Sequence, residues 1–179
     1  MKNPAPTSQP LLRSTSVPHV PTSGGNGKGM ALPTPTRVID LIESTDPATR
    51  DLALDAWCRG RSFAELLAAT EALDAYRRGE TNLYKRVRAL FFIAAIHRYH
   101  LPARAEMTRL GRVPYDGFRH ILERRFEEAI AVFLAAQQAQ GPSETLSSAL
   151  AVAHHALAFQ TLADQVRRTV RSTPPSSGA

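Results

Sequence analysis

Apolar residues recur at spacings of three and four over residues 37–171, the period of helices with one buried face. The short segment Arg37–Glu43 offers Val38, Ile39, Leu41 and Ile42 to one side. Asp46 before Pro47 reads as an N-cap with proline at the first helical position. That helix is expected to run to about Cys58 and to stop at Gly60. Ser62 and Glu65 have the spacing of a capping box, in which each side chain satisfies a backbone donor at the other's end. The box opens a helix to about Arg78, closed by Gly79. Phe63, Leu66, Leu67, Thr70 and Leu73 form its expected buried face, and the charged Asp74 narrows that stripe.

A third helix is expected from about Asn82 to Tyr99, with Leu83, Val87, Leu90 and Ala94 in step. Its stretch ALFFIAAI, residues 89–96, is apolar on every side. A helix of that kind is covered on several sides, which predicts the central position. Leu101-Pro102 ends it, and a linker with Gly111 follows over Ala103–Val113. A fourth helix is expected from Pro114 to about Gln140, with the stripe Phe118, Leu122, Phe126, Ala129 and Phe133. Gly141-Pro142 breaks the chain before a fifth helix from Ser143 to about Arg171. This last helix carries two stripes: Leu146, Leu150, Ala153 and Leu157, and then Val152, Ala156, Phe159, Ala163, Val166 and Val170. No segment has the two-residue alternation of a strand. The expectation is an all-α fold, a bundle of about five helices anchored by Phe91, Phe92, Phe126, Phe133 and Phe159.

Part of this pattern is similar to a tetratricopeptide repeat. FEEAIAVFLAAQ resembles the second helix of that repeat, with Ala129, Phe133 and Ala136 at its spacing. Gly117 falls where the first helix wants a small residue. One period of about 34 residues further on, Leu150 and Ala163 fit, but Arg167 replaces the aromatic. This is one partial repeat, whereas a stable solenoid needs about three.

The two ends differ in composition. Residues 1–36 hold seven of the thirteen prolines and are rich in Ser, Thr and Gly. Such a segment buries too little apolar surface to offset its ordering entropy, so a disordered tail is expected over 1–36, a helical domain over 37–171 and a second loose end over 172–179. The tail contains SGGNGKGM, residues 23–30. A phosphate-binding P-loop needs Ser or Thr after its lysine and lies between a strand and a helix. Here Gly29 follows Lys28, no strand precedes it, and Pro33 and Pro35 oppose a following helix. The Gly24-Gly25-Asn26-Gly27 run also resembles the glycine turn of sugar-phosphate nucleotidyltransferases, without the residues that follow that turn in the family. The stretch reads as linker.

Charge changes the picture little. The chain carries +6, and Lys2, Arg13 and Lys28 in the tail have no acidic neighbour there. Removing those three from 22 basic residues leaves 19 against 16 acidic ones, a nearly balanced folded part. A sequence pI near 10.1 leaves room for a polyanionic partner, but in an Arg-rich, Lys-poor chain an ordinary solvated surface is the expected reading. Cys58 is the single cysteine, so no internal disulfide can form. No apolar run nears the ~18 residues of a membrane-spanning helix, and no secretory leader is evident at the start. A cytoplasmic location is the expectation.

Candidate chemistry is sparse. His97 and His100, at i and i+3, could share a metal if His120, Glu106, Asp116 or Glu123 supplied a third ligand. A hydrogen-bonded core or rim histidine explains His97 as well. His154 and His155 point to different faces. Cys58 near a helix C-terminus has its thiol pKa raised, which disfavours a nucleophile. Tyr84, Lys85, Arg86 and Arg88 form the densest basic patch, with an aromatic among them. The expected site is therefore a binding patch of Tyr84, Lys85, Arg86, Arg88, His97 and His100, with no catalytic residue, no metal and no cofactor.

A longer resemblance rests on ETNLYKRVRALFFIAAIHRYHLP, ERRFEEAIAVFLAAQ and SALAVAHHALAFQTLADQVRRTVRS. Together these resemble the N-terminal helical region of very large bacterial proteins described as UTP–glucose-1-phosphate uridylyltransferases or GHMP-type sugar kinases. The resemblance covers roughly residues 40–172, and this chain stops where those proteins continue. Their nucleotide-binding motifs would lie beyond Ala179, so no catalytic residue carries over. What the resemblance implies is a non-catalytic interaction or assembly domain, whose partner is another protein or a missing C-terminal catalytic part. The alternatives are a tetratricopeptide-like protein-binding scaffold and a basic RNA- or polyanion-binding module.

Overall fold

The computed structural model describes residues 37–172, without the side chains of residues 171 and 172. The expected tail over 1–36, with its glycine-rich stretch, lies outside the described residues, as does the expected loose end over 172–179 apart from Ser172, which ends the last helix. Among the described residues there are eight α-helices, one π-helical turn and no strand. The helices are α1 (Asp40–Glu43), α2 (Pro47–Arg50), α3 (Leu54–Arg59), α4 (Phe63–Gly79), α5 (Leu83–Ala95), α6 (Tyr115–Leu122), α7 (Phe126–Gln140) and α8 (Glu144–Ser172). The π-helical turn, Ile96–His100, continues α5.

Local chemistry sets the helix starts. The Asp46 carboxylate accepts from the backbone N–H of Ala48 at 3.2 Å and of Thr49 at 3.1 Å, with Pro47 opening α2. The Ser62–Glu65 capping box forms, with the Ser62 N–H donating to Glu65 at 2.8 Å and the Glu65 N–H to Ser62 Oγ at 3.3 Å. Asn82 caps α5 by accepting from the Lys85 N–H at 3.2 Å. These bonds satisfy donors that the first turn of a helix leaves open.

Two of the five expected helices are each broken in two. The expected helix from Asp46 to Cys58 stops at Arg50 and restarts at Leu54. Leu52 and Leu54 both pack on the same core, which two positions so close in sequence on one continuous helix could not do. The expected helix from Pro114 to Gln140 breaks at Glu123–Arg125. Arg124 is left-handed, with φ 60°. The Arg125 N–H donates to the His120 carbonyl at 2.8 Å and the Arg124 N–H to the Ile121 carbonyl at 3.0 Å. This is the Schellman pattern, with arginine where glycine is usual. The break takes Phe118 and Leu122 out of the expected stripe. Both are exposed, while Phe126, Ala129 and Phe133 are buried.

The π turn also has a local cause and a local consequence. The Leu101 N–H donates to the Ile96 carbonyl, five residues back, at 2.9 Å. The next donor in that register would be residue 102, which is a proline without an N–H. The His97 carbonyl is thereby left without a helical partner. The Ser147 hydroxyl of α8 donates to it at 2.8 Å.

Helix α5 lies between two apolar clusters. Ala89, Ile93 and Ile96 join α1, α3 and α4 in one, with Leu41, Trp57, Leu66 and Leu73. Val87 and Leu90 join α7 and α8 in the other, with Phe133, Leu146 and Leu150. This is the central position that its all-round apolar sequence predicts. Of the five expected anchors, Phe126 and Phe133 are buried, Phe91 and Phe92 are half-buried, and Phe159 is 54% exposed. Gly117 of α6 faces the ring of Phe133, where a Cβ would collide with it. Close approach of α6 to α7 therefore requires glycine at that point. No helix among the described residues is long and apolar enough to cross a membrane.

Candidate functional site

The six residues of the expected basic patch do not form one site. Lys85 donates from Nζ to Glu43 at 2.9 Å and so ties α5 to α1. Arg88 donates to the Arg50 carbonyl at 2.6 Å and to the Tyr84 hydroxyl at 3.2 Å, and its guanidinium lies 5.2 Å from the centre of the Phe92 ring. These two cations are engaged in fastening neighbouring helices. Tyr84 is exposed beside them. Arg86 lines a separate hollow with Glu127 and Asp164. His100 is half-buried; burial lowers its pKa against the opposing pull of Asp55. His97 lies inside the bundle.

The interior around His97 is the most polar part of the core. The Arg77 side chain of α4 is almost fully buried. It donates to Glu127 of α7 through two nitrogens, at 2.7 and 2.9 Å, and from Nε to Asp74 at 2.7 Å. A planar guanidinium suits such a two-pronged pairing. Arg78 Nε donates to the other Asp74 oxygen at 2.9 Å. Burial raises the Asp74 carboxyl pKa, but the His154 ring, Arg77 and Arg78 outweigh it and hold the group well below the usual carboxylate range. Burial likewise opposes ionisation of Glu127, and the Arg77 bonds overcome it.

Two imidazoles complete this centre. His97 and His154 stack with ring centroids 6.1 Å apart and planes 13° from parallel. The Ser147 hydroxyl gives its proton to the His97 carbonyl, so its oxygen accepts from His97 Nδ1–H at 2.9 Å. That arrangement leaves a lone pair on Nε2. Burial, followed by the nearby His154, pushes the His97 pKa down to about 3, so the ring is neutral. His154 Nδ1–H donates to the Leu150 carbonyl at 2.8 Å, and its Nε2 is 3.7 Å from Asp74. Nε2 of His97 and Oε1 of Gln137 are buried without a hydrogen-bond partner among the described residues, while Nε2 of His154 faces Asp74. The side chains of His97, His154 and Gln137 border a half-open hollow of about 280 Å³ among α4, α5 with its π turn, α7 and α8, together with Asp74.

Sequence reasoning singled out His97 but not its surroundings. Arg77 and Glu127 are fifty positions apart, as are His97 and Ser147. The one legible signal is Asp74, a charge in step with an apolar stripe. Cys58 is buried, and burial with Asp55 raises its thiol pKa to about 11.

A second feature lies on the opposite side of α8. The stripe Leu146, Leu150, Ala153 and Leu157 is buried against α5 and α7. The second stripe is not covered by described residues: Val152, Phe159, Val166 and Val170 are 43%, 54%, 63% and 68% exposed. Its upper part borders a largely apolar groove of about 660 Å³ between α5 and α8, lined by Phe91, Ala94, Tyr99, Val152 and His155. Phe91, His155 and Phe159 meet edge to face, with centroids 5.0 to 5.8 Å apart.

No group of three or more His, Cys, Asp or Glu among the described residues is placed to hold a metal ion. Comparison with protein-family models, with curated proteins and with solved structures returns no match for this chain.

Proposed function

We propose that the chain is a non-catalytic helical interaction domain that receives an amphipathic helix of a partner protein along the outer stripe of α8. One observation carries this reading. Val152, Ala156, Phe159, Ala163, Val166 and Val170 follow one another at alternating steps of four and three, and this row runs for five turns of helix with its large members exposed. That repeat is the seam of a coiled coil, in which each apolar side chain enters a hole on a facing helix. A row of this length whose large members are exposed marks an interaction surface in a folded protein. Helix-in-groove recognition uses such anchors, and the groove beside Phe91 widens the surface at one end. The small Ala156 and Ala163 allow close approach.

The resemblance to the front end of large sugar-nucleotide proteins supports the same role. The partner would then be a catalytic part of such a protein, and this domain would serve its assembly. The tetratricopeptide-like alternative is supported by the Gly117–Phe133 contact between α6 and α7. It stops there, because α8 runs unbroken for 29 residues where a further repeat needs a turn. The polyanion alternative is weakened by the ties of Lys85 and Arg88 to neighbouring helices.

Site-specific photocrosslinking in living cells tests the proposal. A benzophenone side chain placed at Phe159 or Val166 is expected to give a discrete protein adduct. The same group at Arg167, beside the stripe, should give none. Absence of an adduct from both stripe positions, with the domain folded, overturns the reading.

A further inference from the structure

We propose that the helix received by the outer stripe of α8 is α8 of a second copy of this chain, running antiparallel about a twofold axis between Phe159 and Ala163. This names the partner of the interaction face described above and rests on that reading. The steps of the row from Val152 to Val170 are 4, 3, 4, 3 and 4, the same from either end. An antiparallel twofold therefore sets every member opposite another. Phe159 meets Ala163 of the second copy, Ala156 meets Val166, and Val152 meets Val170. In the first two pairs a large side chain faces an alanine, so each protrusion has a space to enter. A parallel pair would set Phe159 on Phe159 and alanine on alanine, an overfilled layer between gaps.

Each copy also carries both halves of the fit. One end of the row, Val152 and Ala156, forms a wall of the half-open groove between α5 and α8. The other end presents Val166 and Val170, 63% and 68% exposed. The twofold brings that end of each copy to the groove of the other. The charges allow it. His155 lines the groove, and Leu162 and Thr169 follow it at seven-residue steps on the same side of the row. That side carries no acidic or basic residue to set against Arg98, the charged residue of the groove lining. Leu162, 37% exposed, meets Leu162 of the second copy, which adds apolar contact at the axis. Arg167, on the other side, is bound to Asp164 of its own helix at 2.8 Å. The row spans ~27 Å of helix. One helix pair of that length, with the groove walls, lies near the ~1,200 Å² lower bound of a specific interface, so the dimer is expected to dissociate on dilution.

Sedimentation equilibrium of the purified full chain at neutral pH tests this, with circular dichroism to establish that each variant is folded. The expected result is a reversible monomer–dimer equilibrium. Ala163 is exposed, so Ala163→Phe is accommodated in the monomer but overfills the contact with Phe159 of the second copy. It is expected to weaken association about a hundredfold, because the twofold repeats the collision. Adding Phe159→Ala to it exchanges the two sizes and is expected to restore most of the affinity. That recovery requires positions 159 and 163 to face each other across the axis. A chain that is monomeric at every concentration overturns the proposal. So does a dimer that Ala163→Phe leaves unweakened, or one that the double substitution does not recover. A monomeric chain whose Phe159 benzophenone still gives an adduct with a different protein in cells ends this proposal and leaves the interaction reading standing. Absence of both dimer and adduct ends both.

Discussion

The two stripes of α8 have nearly the same hydrophobic pattern and opposite fates. Leu146, Leu150, Ala153 and Leu157 are buried against α5 and α7, while Val152, Phe159, Val166 and Val170 stay exposed. The pattern states that a face should be covered but not what covers it. The inner stripe ends where the bundle ends, near Thr161. The outer one continues past that point, with Val166 and Val170 exposed. If the outer stripe serves association as proposed, substitutions on the two faces should separate an effect on stability from an effect on association.

Leu150→Ala should show the largest loss of stability. Leu150 has no exposed surface and sits amid the second cluster. Its truncation removes buried methyl groups and leaves a cavity, for an expected cost of about 4 kcal/mol. Urea unfolding of the variant measures it. A loss below ~1 kcal/mol would place Leu150 at a site that tolerates surface-like change and would erase the contrast.

Arg77→Met comes next and tests whether the inner side depends on its polar centre as well as on packing. Removing the guanidinium leaves Asp74 and Glu127 with Arg78, at 2.9 and 3.8 Å, as the shared arginine. The loss of one partner from a buried pair is expected to cost about 3 kcal/mol, moderated because Glu127 is partly solvated. Double substitution of Arg77 and Glu127 should recover part of that cost. Full additivity of the two single losses would show that the pair does not act as a unit.

Acid should weaken the inner side first. The folded-state pKa of His97 is about 3 against an ordinary 6.5. The unfolded chain therefore takes up that proton first as the pH falls. The stabilisation is full above the unfolded value and is lost progressively down toward the folded one. Between about pH 7.5 and about pH 5 the loss should be about 2 kcal/mol. Asp74 and Glu127, with lowered pKa values, lose their contribution only below the ordinary carboxylate range. His97→Gln should flatten the urea midpoint over the same interval, and an unchanged slope would remove His97 as the cause.

Much of this contrast was legible in the sequence, and the rest was not for definite reasons. Both α8 stripes, the Ser62–Glu65 box and the central place of α5 follow from short-range periodicity. The break at Arg124 does not, because the residue that takes the left-handed position is one that seldom does. That break also exposes Phe118 and Leu122. Phe159 was expected in the core, since spacing alone cannot distinguish a covered stripe from an uncovered one. The site around His97 depends on Ser147, His154 and Glu127, contacts that only the tertiary fold creates. Pro102 was visible as a helix stop. Its effect on the His97 carbonyl became visible only with the π turn.

Phe159→Ala and then Val166→Asp should have the smallest effects on stability and the clearest effects on association. Phe159 keeps edge-to-face contacts with Phe91 and His155, so its truncation is expected to cost about 1 kcal/mol. Val166 is 63% exposed, so Val166→Asp should change stability by less than ~0.5 kcal/mol. The same carboxylate would sit in the middle of the 3–4 row, where a facing helix must bury it without a partner. With the benzophenone kept at Phe159, Val166→Asp should abolish the partner adduct while urea unfolding stays at the wild-type midpoint. A shifted midpoint would mean that the outer stripe is covered within the chain. An unchanged adduct would mean that the partner does not use the lower turns of α8. Only loss of the adduct at constant stability leaves the outer stripe with the role that separates it from the inner one.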